Sequence, residues 1–65
     1  MKISEFVRRI ESQGVKFYGH GSNHDWYYNP KNGKKAQVPR HKTQELRIGT
    51  MKGILKALDL ELNHK

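Results

Sequence analysis

The sequence contains no cysteine, so neither a disulfide nor a thiolate metal site can reinforce its fold. Long apolar runs are missing as well. Between Met1 and Ile10 the chain carries charge at Lys2, Glu5, Arg8 and Arg9, which interrupts the apolar stretch a secretory leader requires, and nothing approaches the length of a membrane span. A cytoplasmic location is expected. Acidic residues are scarce, 6 against 13 Lys and Arg in 65 residues, giving a formal net charge of +7. Such an imbalance speeds encounter with polyanions and says nothing about fold.

At this length a single domain, 1–65, is expected, near the size where folding buries only roughly 60% of the unfolded surface. With no covalent reinforcement, apolar packing alone must supply the core. Ile3, Phe6, Val7 and Ile10 repeat at the spacing of an amphipathic helix. This predicts helix over about 3–13, with Ser4 as N-cap and Gly14 as the stop. Val15 and Phe17 then alternate with Lys16 and Tyr18, a short strand ending at Gly19. A second strand is expected over 23–29, where Trp26, Tyr27 and Tyr28 favour pleated, half-buried positions.

Asn29-Pro30-Lys31-Asn32-Gly33 supplies hairpin turn chemistry, and Lys35 to Val38 forms a third strand closed by Pro39. A basic connector over 40–48 follows. The last stripe, Met51, Ile54, Leu55, Leu58 and Leu62, predicts a helix over about 50–61 capped by Thr50. The fold class is therefore α+β: helix, three antiparallel strands, helix, with both helices on one face of the sheet. The other face stays open, and on a basic protein it is a candidate binding surface.

His24 is the candidate catalytic residue. Cleaving RNA removes a proton from the ribose 2′-hydroxyl as it attacks the adjacent phosphorus and delivers another to the departing 5′ oxygen. Imidazole serves either role near neutral pH. The glycine turn before it, Gly19, His20, Gly21 and Ser22, is equally good as a plain turn or as a backbone nest for phosphate, since glycine permits the positive φ that nests use. The aromatic run after it offers rings to bases. If Tyr27 packs beneath the helices, His24, Trp26 and Tyr28 share the open face; the opposite register buries Trp26 and turns Asp25 and Tyr27 outward. Lys31, Lys34, Lys35, Arg40, His41 and Lys42 form a one-signed charge run, the pattern of phosphate contacts. His20 and His24 flank a turn rather than sharing a helix face, and no Cys or carboxylate cluster completes a metal site, so no metal and no cofactor are expected.

Three blocks now line up with one family. Gly21-Ser22 followed by His24, Tyr27 and Pro30, then Val38-Pro39-Arg40-His41, then Glu45-Leu46, Gly49-Thr50 and Ile54-Leu55-Lys56 together resemble the HicA-type mRNA interferase toxins. The opening Ser4-Glu5-Phe6 and Glu11-Ser12-Gln13-Gly14-Val15 fit as well, so the resemblance spans almost the whole chain. It implies a double-stranded-RNA-binding-domain-like fold, metal-free cleavage of mRNA, silencing by a HicB-type antitoxin, and a catalytic role for His24. Asn23 departs from the family pattern as an inserted residue between Ser22 and the histidine. Asp59 departs where members commonly carry glycine after the last helix, which should alter only how that helix stops.

The resulting expectation is an endoribonuclease toxin with His24 as general acid or base. Gly21 and Ser22 would offer backbone donors to the scissile phosphate, Trp26 and Tyr28 would stack on bases, and Lys34, Lys35 and Arg40 would hold flanking phosphates. His20 and His41 are candidates for the second proton carrier, beside a lysine or water. The alternative is a non-catalytic RNA-binding module of the same fold.

Overall fold

In a computed structural model of the chain, which describes residues 1–61, α1 (Ile3–Ser12) is followed by β1 (Lys16–His20), β2 (His24–Asn29), β3 (Lys34–Pro39) and α2 (Ile48–Leu58). The strands form one antiparallel sheet in the order β1-β2-β3. This is the expected α-β-β-β-α, double-stranded-RNA-binding-domain-like arrangement.

The core joins Ile3, Phe6, Val7 and Ile10 of α1 to Tyr27, Ala36 and Val38 of the sheet and to Ile54 and Leu58 of α2, with Val15 and Leu46 from the connections. Tyr27 is only 3% exposed, which settles the register of β2. Its neighbours His24, Trp26 and Tyr28 therefore face away from the helices. Phe17, although it pairs with Tyr27, is 47% exposed. It lies on an edge strand, where its ring packs in edge-type contacts with Tyr27 and His20.

Both helix starts differ from expectation. Ser4 lies inside the first turn of α1, and Lys2 at the N-cap makes no side-chain capping bond. The connector caps this helix instead: the N–H of Ile3 donates to Gln44 O at 2.9 Å and that of Ser4 to Lys42 O at 3.0 Å. α2 starts at Ile48 behind Arg47, so Thr50 is likewise in the first turn rather than at the cap.

The helix ends are closed by left-handed residues. Gly14, with φ of 100°, stops α1 as expected, its N–H donating to Glu11 O. α2 stops at Leu58 because Asp59 adopts φ 58°, ψ 50°, letting the N–H of Leu60 reach Leu55 O at 2.8 Å. Leu62, the last member of the expected stripe, lies outside the described residues.

The hairpin between β2 and β3 does more than reverse the chain. Buried Asn29 accepts from the N–H of Lys31 and donates through Nδ2 to Leu58 O at 2.9 Å, and Asn32 Nδ2 donates to the same carbonyl at 3.2 Å. Two side-chain amides thus satisfy an otherwise orphaned carbonyl at the end of α2. Among the described residues, no helix is long and apolar enough to cross a membrane.

Candidate functional site

The open face of the sheet is built by alternation. β2 contributes His24, Trp26 and Tyr28; their cross-strand partners on β3 are Pro39, Gln37 and Lys35, and Lys16 of β1 stands opposite Tyr28. No carboxylate belongs to this set. Asp25, the acid within β2, points to the other side.

A bulge in β1 refines the arrangement. Phe17 pairs with Tyr27 and Gly19 with Trp26, which leaves Tyr18 as the extra residue. Its ring turns to Tyr28, with centroids 5.8 Å apart and planes at 76°, and Lys35 Nζ lies 4.3 Å from its centroid. Opposite Trp26 stands a glycine with no side chain. The indole instead passes over the β1–β2 loop, close enough that a Cβ on Gly21 would lie 3.4 Å from Trp26 Nε1.

The loop that carries His24 is held from within. Gly21 N–H donates to His24 O at 2.7 Å. Arg40 Nη2 donates to Gly21 O at 2.6 Å and to His24 O at 3.2 Å, and its Nε donates to Asp25 Oδ1 at 3.0 Å. His20 Nδ1 donates to the same carboxylate oxygen at 2.9 Å. The hydrogen bond from His20 leads the effects that hold the Asp25 carboxyl below the ordinary aspartate value, and Arg40 adds to it against the opposing cost of burial.

The structure therefore sorts the sequence candidates. It brings His24, Trp26, Tyr28 and Lys35 onto one face. Lys34 pairs with buried Asn29 and, by alternation, leaves that face. The guanidinium of Arg40 is occupied by the loop and Asp25, so its first role is structural. The nest reading of the glycine turn is not met: neither Gly19 nor Gly21 has positive φ, and the Gly21 N–H is already bonded. Ser22 sits at the loop tip, its N–H donating to nothing among the described residues. His20 is anchored by Asp25 on the face opposite His24.

Sequence reasoning missed two features. Tyr18 is not among the sequence candidates, although its alternation with Phe17 puts it on the same face as Lys16. Asp25 was not assigned, yet any register that turns His24 and Trp26 outward buries the carboxylate between them and demands a cation.

The chain matches the family described as the HicA toxin of bacterial toxin-antitoxin systems over residues 3–60. A protein of Photorhabdus laumondii named probable mRNA interferase HicA 1 is 43% identical over 61 residues, covering 92% of this chain and 100% of its own. Probable mRNA interferase toxin HicA of Escherichia coli is 43% identical over 60 residues, covering 92% and 98%. Probable mRNA interferase HicA of Pseudomonas fluorescens is 40% identical over 62 residues, covering 94% and 98%. No solved structure matches the chain. A family match over nearly the full length, on the fold and the His24 loop described above, makes this chain a member of the HicA toxin family.

Proposed function

We propose that the chain is a cytoplasmic endoribonuclease that cleaves mRNA without a metal, with His24 as general acid or base, and that a HicB-type antitoxin silences it. The observation that carries this reading is the position of His24. It opens β2 on a carboxylate-free sheet face that also carries Trp26, Lys16 and Lys35, and its carbonyl is tied down by Gly21 and Arg40. The names of the relatives point the same way.

In the reaction the 2′-hydroxyl loses its proton to imidazole as its oxygen bonds to phosphorus, and the bond from phosphorus to the 5′ oxygen breaks. The leaving oxygen takes up a proton. With His20 held by Asp25 on the far face, that second transfer falls to water, a lysine or His41. Lys16 and Lys35 supply charge for flanking phosphates, and the N–H of Ser22 is available to the scissile group.

The test is cleavage of purified mRNA in excess EDTA, run beside His24→Ala and beside protein mixed with its antitoxin. Metal-free cleavage that disappears in both controls supports the full reading. Cleavage that survives His24→Ala removes that residue from the chemistry, and RNA binding without cleavage makes the chain a binding module.

A further inference from the structure

We infer that Tyr18 and Tyr28 form a subsite for unstacked bases of a single RNA strand whose scissile phosphate lies at His24; this deepens the nuclease reading and rests on it. The two rings meet edge to face at 5.8 Å and 76°, making a corner against which a base can lie flat on one ring and abut the other. Neither ring fills the core. Tyr18 is 58% exposed, and the β-bulge between Phe17 and Gly19 is what brings it beside Tyr28.

The occupant follows from charge and geometry. Lys16 and Lys35 flank the rings, and the whole face lacks a carboxylate, which suits a polyanion. His24 and Tyr28 are four residues apart on one strand, about 13 Å at roughly 3.3 Å per residue. A strand reaching from one to the other passes over Trp26. Stacking on tyrosine requires a base whose faces are free, and a duplex hides them within its own stack.

Lys35 already covers Tyr18 at 4.3 Å. An ammonium over an exposed ring is held weakly compared with a stacked base. When a base arrives, the flexible lysine can pass to the phosphate beside it. The cluster therefore exchanges an internal contact for two contacts with one nucleotide.

The test uses full-length His24→Ala protein, so that binding is read without turnover, and a labelled RNA oligonucleotide either single-stranded or annealed to its complement. Single-stranded RNA is expected to bind at least about tenfold more tightly than duplex. Tyr18→Ala and Tyr28→Ala should each weaken it about tenfold, the worth of one stacked base. Tyr18→Phe keeps the ring face and should retain affinity. Tyr18→Leu, which preserves apolar bulk should the alanine variant fold poorly, should lose it.

Equal affinity for duplex and single strand overturns the inference, as does unchanged affinity in the Tyr18 and Tyr28 variants. Loss of antitoxin binding alone, with RNA affinity intact, also overturns it and makes the corner a protein contact. Stacking-dependent binding in a wild-type protein that cleaves nothing would sink the nuclease reading while leaving the subsite in place.

Discussion

Arg40 reaches across the β1–β2 loop to the carbonyl of His24, to which Nη2 donates at 3.2 Å. The same nitrogen holds Gly21 O at 2.6 Å, and Nε holds Asp25 at 3.0 Å. One planar fork therefore fixes the main chain on both sides of the loop tip. Lysine has the charge but not the fork. Arg40→Lys is expected to lower stability by about 1–3 kcal/mol and to reduce kcat more than it raises KM. Thermal melts and steady-state cleavage check this; unchanged values for both would show the clamp to be redundant.

Asp25 gives the fold an acid sensitivity. Its carboxyl titrates below the ordinary value of 3.8, first because of the His20 hydrogen bond. A group whose pKa is lower when folded stabilises the fold above the unfolded value, and that contribution disappears as pH falls through the folded value. Urea midpoints followed from about pH 6 to about pH 2 should drop below roughly pH 4. Asp25→Asn should be less stable at neutral pH and show a shallower drop. Parallel curves for the two proteins would count against it.

Gly21 is required by steric contact rather than by an unusual φ. A Cβ there would sit 2.9 Å from His24 O, an oxygen that cannot retreat because Gly21 N–H and Arg40 both hold it. Gly21→Ala should destabilise by on the order of 1–3 kcal/mol, the range of other overpacked sites, and should slow cleavage. Ser22→Ala, at the exposed tip, should leave stability near wild type. Denaturant unfolding of the pair distinguishes a local clash from general intolerance of the loop.

Asp59 occupies a backbone conformation that favours glycine, with φ 58°. Asp59→Gly should raise stability by about 1 kcal/mol through relief of left-handed strain, offset in part by the greater freedom of glycine in the unfolded chain. A melting temperature that falls would mean the aspartate side chain contributes more than the strain costs.

Much of this was legible in the sequence because two periodicities are clean. The apolar stripe of α1 showed which of its residues face the core, and the alternation of β2 put His24, Trp26 and Tyr28 together on one surface, but which surface was decided only by the burial of Tyr27. What escaped depended on partners distant in sequence. Ser4 and Thr50 have capping chemistry, but Lys42 and Gln44 supply the carbonyls that bind the first turn of α1. Arg40 and Lys34 read as free cations within a charge run. Only the pairing of β2 with β3 shows that one is bound to Asp25 and the other turned from the open face. Alternation with Lys16 places Tyr18 on the open face, but its meeting with Tyr28 comes with the bulge, which local pattern does not announce.

The capping of α1 by the connector also orders events during synthesis. Its opening N–H groups wait for residues 42–44, and its buried stripe waits for Ile54 and Leu58. An isolated helix of this length is marginal in water. The first helix therefore gains its capping bonds and its full burial only once residues 42–58 have been made.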